Sequence, residues 1–599
     1  MKVLLTLLPF VSPSFINYSF QGRGQVDEVH RLIHRVLGQS LQHVLTLELD
    51  ETLSGFEISD VEAGMIRIRG GAGPDIAYGV GVYFREFYLM SFSWERSGGH
   101  RIQYVGGSLI PVGSPIKRQR NAPISYFNNV VTFSYSFVWY GWSEWEYFLD
   151  WAALNGFNLM IAFTGQEEIY RKTFNSFGVS DEDFSSWCNN VAHLAWSRGQ
   201  NLHGCNGGLN VNVMKQQWAL QKQIVERMRN LGIVPVFPVF QGNMPTQMRK
   251  LFPYANISNT GVAWLDGNDP LFQTIQAKYM KTLIEDWGTD NWYEADGYFD
   301  HSPEPWKDSS PPPDSKNSQC RYNVAASFNK NGQGESRSKA VYESMAAVDF
   351  RAMWLYQGWI WRGWGEDKLE YMKSFIDGPP RGSFVLLDMF DEVDSEWDKF
   401  QHFSYFGAPF IWSVLHNFGG NTGLWGDLGL LNRAPFEAFK YGAIGTGAAP
   451  EGIDQNPIYY QLVADVNWMI SPLESIEDYS VQYSNERYGI RHSGFQRAWR
   501  LLTRSVYGGN NSNIARSREW LSEKNSDGLT SLPMHGGTMN TPTELWFDLG
   551  MVLEAWTLLV HGARTVFNAE TIPRTLNYDI GKLIFEHRIQ FEFGFNTVL

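Results

Sequence analysis

Apolar residues recur at helical spacing near the start of the chain: Val26, Val29, Leu32, Ile33, Val36 and Leu37 fall on one face, and Gly38 supplies the stop. The period then shortens to two. Leu45, Leu47 and Leu49 alternate as a strand does, as do Ile66 and Ile68, and a second helix runs through Ile76 to Phe87. These elements predict a small α/β domain over residues 15–115, with nothing in it that suggests chemistry.

From residue 120 to 455 one pattern repeats. An amphipathic helix ends in Gly or a Pro/Gly turn, a short apolar strand follows, and a polar residue sits just past it. Trp145, Phe148, Leu149 and Ala152 line a helix closed by Gly156; Asn158–Phe163 is the strand, and Gly165-Gln166-Glu167 follow. Helix Lys222–Leu231, Gly232 and strand Ile233–Phe240 lead to Gln241-Gly242-Asn243. Helix 340–348 and strand Ala352–Tyr356 lead to Gln357-Gly358-Trp359, and helix 369–376 leads to strand Phe384–Leu387 and Asp388. Phe410–Leu415 ends in His416-Asn417, and Ala443-Ile444 runs through Gly445-Thr446-Gly447 to Glu451. Strands alternating with helices mean parallel β/α units. Polar residues follow six of these strands, which favours a closed (β/α)8-like TIM barrel over an open sheet with one switch point. No GxGxxG or GxxxxGK[ST] follows a strand, so a nucleotide lacks its phosphate cradle. Residues 302–338, rich in Pro, Ser and Gly, read as an insertion. After 456 the strands stop, and segments such as 459–470, 493–506 and 543–561 read as a C-terminal α-helical domain over residues 456–599.

Composition changes this picture in three places. Aromatic residues make up 15% of the chain, with 24 Trp; a flat indole stacks on a sugar face, although a large core absorbs most Trp whatever the function. The formal net charge of −14 argues against wrapping nucleic acid, which needs Lys/Arg stripes. Residues 1–14 carry one Lys and a short apolar run and read as a signal peptide, too short for a membrane span; a buried first strand is the alternative. No other stretch is apolar enough to cross a bilayer. Sequons at Asn17, Asn256 and Asn510 fit export as glycosylation sites. Three cysteines (Cys188, Cys205, Cys320) without a CxxC pair indicate neither a disulfide scaffold nor a thiolate zinc site, and no HExxH occurs, so no metal and no cofactor are expected.

Cleaving an acetal needs an acid for the leaving oxygen and a second carboxylate for the cationic carbon. Carboxyls just after barrel strands are the candidates: Glu167, Glu168, Asp296, Asp300, Glu304, Asp388, Asp391, Glu392 and Glu451. Residue chemistry alone singles out no pair. His203, His301 and His416 form no close metal-ligand pair, and no GxSxG elbow supports a serine hydrolase.

Several segments resemble the α-N-acetylglucosaminidases of glycoside hydrolase family 89: Tyr135-Ser136-Phe137-Val138-Trp139, the run from Asp150 to Gly156, Thr164-Gly165-Gln166-Glu167, Gln357-Gly358-Trp359, the run from Leu415 to Asn421, and the run from Gly445 to Gly452. The match extends in order from about residue 20 to 579. The resemblance implies a lysosomal or secreted enzyme that removes terminal α-linked N-acetylglucosamine from the non-reducing end of heparan sulfate, with retention. It implies Glu451 as nucleophile. The family's acid/base segment, Ala-Asp-x-Phe-Asn-Glu, matches Ala295-Asp296-Gly297-Tyr298-Phe299-Asp300, so the acid/base register holds Asp300, one methylene shorter, with Glu304 as the alternative. Asn129, Tyr135, Trp359, His416 and Asn417 match sugar-binding positions. Cys205 stands where the family tends to carry a Trp. Past Tyr578-Asp579 the residues leave the family pattern and the chain stops short of its usual length, implying a truncated helical domain. Two other readings stay open: a sugar-binding homologue impaired in catalysis, and an α-hexosaminidase of other specificity. Self-association as a homo-oligomer is also left open.

Overall fold

A computed structural model describes residues 22–102, 106–189, 191–195, 202–203, 207–258, 263–296, 321–322, 334–362, 365–399, 404–417, 423–508, 547–568 and 570–583. Its N-terminal unit packs helices Val26–Leu37 and Gly73–Tyr88 on a four-stranded sheet; Met65–Gly70 lies parallel to Leu45–Leu49 and antiparallel to Gly55–Glu62, which pairs with Ile116–Gln119. Gly38, at φ 72°, ends the first helix in the left-handed conformation that a side chain disfavours.

The centre is a closed barrel of eight parallel strands: Ile124–Phe127, Leu159–Ile161, Val234–Pro238, Trp292–Glu294, Met353–Gln357, Phe384–Asp388, Phe410–Val414 and Ala443–Ala448. They neighbour one another in chain order, and the eighth closes on the first. The sequence pattern anticipates six of the eight. The first and fourth escape it because a polar residue interrupts each short apolar run, Ser125 in the first and Glu294 at the end of the fourth. Helices from Trp142–Leu154 onward cover the outside, and the aromatic residues pack there. Phe127 meets Phe148, Trp151 and Phe157 at centroid separations of 4.9–5.7 Å. Trp292, Trp354, Trp361 and Trp412 are fully buried, so most of the indole content belongs to the core, as a large fold requires.

Two glycines let the barrel close. On the eighth strand Gly445 pairs with Ile124 and Gly447 with Tyr126. A Cβ on Gly447 would sit 2.6 Å from the Tyr126 carbonyl oxygen and 2.7 Å from its Cβ, and one on Gly445 would sit 2.7 Å from the Ile124 Cβ. Neither can shift without moving backbone. Gly447→Ala is therefore expected to cost about 1–3 kcal/mol of stability through overpacking and to displace the loop that follows; a Tm equal to that of the unsubstituted chain would refute this.

A helical unit follows, with Pro457–Val466, Ile476–Tyr488, Ser493–Arg504 and Leu549–Val566. Buried ion pairs tie it back. Arg85 reaches Asp465 at 3.0 Å, Arg487, paired with Asp579 inside the helical unit at 2.7 and 2.8 Å, donates to the Ser97 carbonyl at 2.8 Å, and Trp468 stacks on Tyr78 at 4.5 Å. Among the described residues no helix is long and apolar enough to cross a membrane.

Candidate active site

The loops that follow the first and seventh barrel strands meet the segment that carries Glu451. Three residues past the eighth strand, it is partly exposed, whereas Ala448 and Ala449 just before it are buried. Its segment is tied down on two sides. Ala449 N–H donates to the Val414 carbonyl at 2.7 Å, and Glu451 N–H donates to the Asn417 carbonyl at 3.0 Å. From the first strand, Asn129 Nδ2 donates to the Ala449 carbonyl at 2.9 Å and Thr132 Oγ1 to the Pro450 carbonyl at 2.7 Å. Ser136 Oγ accepts from Ile453 N–H at 2.8 Å. Backbone groups that would otherwise be orphaned past a strand end thus fix where residue 451 stands.

The backbone here is strained. Asn128, His416, Asp454 and Asn456, none of them glycine, hold positive φ at the ends of the first, seventh and eighth strands. Each such residue costs on the order of 1–3 kcal/mol unless its surroundings over-determine it, and such strain gathers where a site must be held in one geometry. They do so here. Asn128 pairs with the second strand like a residue of it, its amide exchanging bonds of 3.0 and 3.2 Å with the backbone of Ile161. At His416, Glu392 accepts the N–H of Leu415 and of His416 at 3.1 and 2.6 Å. The imidazole is clamped between Trp425 at 4.2 Å and Tyr459 at 4.0 Å, and Asn456 Nδ2 meets its Nε2 at 3.0 Å. Asn456 also donates to the Gly423 carbonyl at 2.8 Å and accepts from Tyr507 at 2.9 Å.

This sorts the candidates. Asn129 and His416, read from sequence as sugar ligands, are buried, and the polar atoms and ring faces just described meet protein; their geometry fits holding the 451 loop. Asn417 is buried and lends its carbonyl to that loop. Tyr135 is partly exposed at the end of the short helix Val130–Ser134, and Trp359 is 40% exposed with the Arg362 guanidinium 4.9 Å from its ring centroid. Glu168 is consumed by Arg171, which holds both its oxygens at 2.7 Å. Asp388 accepts from Tyr405 at 2.7 Å and from two backbone amides, and Asp391 from Ser395 at 2.7 Å and Ser413 N–H at 3.1 Å. Glu167 is buried; Asp296 is partly exposed. Asp300, Glu304, His301, Cys205, Cys320, Asn17 and Asn510 lie outside the described residues. Asn256 is exposed, its Nδ2 2.9 Å from Asp266.

One carboxyl went unread in the sequence. Glu294 ends the fourth strand, fully buried. Its neighbour Tyr293 points outward to Asp349 and Thr289 at 2.8 and 2.6 Å, so strand alternation turns Glu294 into the barrel. Gln241, past the third strand, donates to its Oε2 at 3.1 Å. Burial, reinforced by Asp296, pushes the Glu294 carboxyl well above its ordinary range. Among the described residues no group of His, Cys, Asp and Glu could hold a metal ion.

Comparison with known proteins bears on what such a barrel mouth does. The α-N-acetylglucosaminidase family models match in succession: the N-terminal domain over residues 27–110, the TIM-barrel domain over 125–470 and the C-terminal domain over 479–583. Human α-N-acetylglucosaminidase is 32% identical over 560 residues, covering 89% of this chain and 69% of the relative. The family 89 glycoside hydrolase from Clostridium perfringens, solved in complex with PUGNAc, superposes with a TM-score of 0.78 at 22% identity, over 96% of this chain and 62% of its own. The same organism's enzyme carrying two Glu→Gln substitutions, in complex with its substrate GlcNAc-alpha-1,4-galactose, superposes at 0.77, again at 22% identity, over 96% and 61%. This chain thus spans about three-fifths of these solved relatives' length, and at that identity their likeness speaks to the fold.

Proposed function

Because this chain belongs to the α-N-acetylglucosaminidase family, we propose that it is an exo-acting, retaining glycoside hydrolase that releases terminal α-linked N-acetylglucosamine, with Glu451 as nucleophile. The observation that carries the reading is the construction of the 451 segment, which bears a partly exposed carboxylate and is held by backbone and side-chain ties from the first and seventh strand ends. A residue so fixed keeps its oxygen in line for attack without reorganisation.

Stereochemistry supplies the need for it. In an α-linked glucosamine the 2-acetamido group lies on the same face as the leaving oxygen, so it cannot attack C1 from behind, and an enzymic carboxylate must. Glu451 bonds to C1 as the C1–O bond breaks, while a second carboxyl gives its proton to the leaving oxygen; that carboxyl, then anionic, takes a proton from the water that displaces Glu451. We assign the second role to Asp300, with Glu304 as its alternative, and the sugar-binding role to Asn129, Tyr135, Trp359, His416 and Asn417. Heparan sulfate ends are the proposed natural substrate, the lysosome or the exterior the proposed location, and residues 15–115, 120–455 and 456–599 the proposed domains.

The test is an aryl α-N-acetylglucosaminide at mildly acidic pH, with the first-formed anomer read by proton NMR. The α-anomer is expected, whereas the β-anomer would overturn retention and no turnover would overturn the activity. One residue favours a second reading: the Asp300 carboxyl is a methylene shorter than the family's Glu, so a chain that binds N-acetylglucosamine without releasing product would be a sugar-binding homologue.

A further inference from the structure

Glu294 is the fully buried carboxyl of the barrel for which no basic partner exists among the described residues. One oxygen accepts from Gln241; the other, Oε1, is buried without a hydrogen-bond partner. Across the bore the Tyr126 hydroxyl is likewise buried without one, and the Glu294 carboxyl raises its pKa, so the two groups sense each other. Leaving polar atoms unmet in a barrel core costs about 1–3 kcal/mol each, so packing alone would favour an apolar residue at 294. Something other than stability accounts for a glutamate there. Gln241 suggests what. It sits past the third strand at the mouth of the barrel, partly exposed, and reaches down to Glu294.

An amide offers one acceptor oxygen and two N–H donors, and a free side chain can present either end. With Nε2 donating to Glu294, the carbonyl oxygen is the end left toward the mouth. We propose that Glu294 is a positioning residue for the proposed hydrolysis: by holding the Gln241 amide it makes the pocket present an acceptor oxygen to an N–H or O–H of the N-acetylglucosamine unit. The inference rests on the reading that this mouth is the sugar site. Burial, and after it the nearby Asp296, raise the carboxyl's pKa, while the bond from Gln241 Nε2 to its Oε2 is what sets the direction of the amide. Tyr126, Asp296 and Gln241 are the polar groups that face it from the first, fourth and third strand ends.

A double-mutant cycle on the full chain tests this. Glu294→Leu removes the acceptor while filling the space with an apolar side chain. It is expected to leave Tm unchanged or higher, raise KM for the aryl α-N-acetylglucosaminide about tenfold and keep kcat within about threefold. Glu294→Gln, which keeps a carbonyl acceptor, is expected to stay within about threefold of the original KM. Gln241→Ala should match Glu294→Leu, and the double variant should be no worse than either. An unchanged KM in Glu294→Leu, or losses that multiply in the double variant, would overturn the proposal. If the unsubstituted chain does not turn over the glycoside, the activity reading fails, and the same cycle is read as the calorimetric Kd for N-acetylglucosamine. There, non-multiplying losses support the positioning role, multiplying or absent losses overturn it, and absence of binding by the unsubstituted chain overturns both readings.

Discussion

Replacing Glu451 by Gln is expected to lower kcat/KM for an aryl α-N-acetylglucosaminide by about 10⁴-fold while affinity for N-acetylglucosamine stays within about threefold. The amide is nearly isosteric with the carboxylate, and the ties that hold the segment are made by backbone or by other residues: Glu451 N–H to the Asn417 carbonyl, Asn129 to the Ala449 carbonyl and Thr132 to the Pro450 carbonyl. The substitution therefore removes the attacking lone pair and leaves its scaffold, so binding and turnover separate. The smaller variant Glu451→Ala extends the argument, because it opens room for an external anion on the face the carboxylate occupied. Azide entering there would bond to C1 opposite the departing α-oxygen and yield the β-glycosyl azide. Recovery of turnover with that product would establish the face of attack. A loss below about tenfold in the Gln variant would show that residue 451 is not the nucleophile.

Why that residue could be read from the chain, and others could not, follows from what each signal depends on. Glu451 follows a glycine-rich strand whose glycines are demanded by the close approach of the first strand, which places it among nine candidate carboxyls; its role as nucleophile comes from the resemblance to the family. The clamp around it is less legible. Asn456 is one Asn among many until Gly423, His416 and Tyr507 close on it, and those partners come from three separate segments of the chain. Asn129 and His416 are legible as polar groups near strand ends; what the sequence does not show is that Asn129 also holds the Ala449 carbonyl and that the imidazole lies between Trp425 and Tyr459. Glu294 was hidden for a different reason. It is the last residue of its strand and not one of those past the strand end, where candidates such as Asp296 lie, so nothing in the pattern marks a carboxyl turned into the barrel.

The Asp388–Asp391 pair is expected to stabilise the fold most in acid and progressively less as the pH is raised from about 4 to 7. Carboxyls are ordinarily stabilised in folded proteins as anions, but several here are held the other way. Asp388 and Asp391 hydrogen-bond to each other beneath the loop that follows the sixth strand; burial pushes Asp388 up to about 6, and burial together with the Asp388 charge raises Asp391 well above the usual carboxylate range. Burial likewise lifts Glu396 to about 7 and Glu486 to about 7. A carboxyl whose pKa is higher folded than unfolded keeps its proton after the unfolded chain has lost it. Its contribution is whole below the unfolded value, 3.8 for Asp, and disappears as pH rises through the folded one. For Asp388 alone the shift amounts to on the order of 3 kcal/mol. Glu477, held as an anion by Arg504 at 2.6 and 2.7 Å, works in the opposite sense, but it lies near the surface, where solvent screens it. The pair matters to the site because its loop also carries Glu392, which fixes the strained turn at His416. Ionisation of both aspartates would set two charges against each other there and loosen that turn. Burial holds the His100 imidazole down at about 3, so its contribution is lost in acid and opposes this trend; the measurement is therefore the slope of Tm against pH, by differential scanning fluorimetry between pH 4 and 7, compared between the unsubstituted chain and Asp391→Asn. Asp391→Asn, which keeps a donor toward Asp388 and cannot ionise, is expected to shift that slope upward; equal slopes in both chains would show that this shared proton does not govern stability.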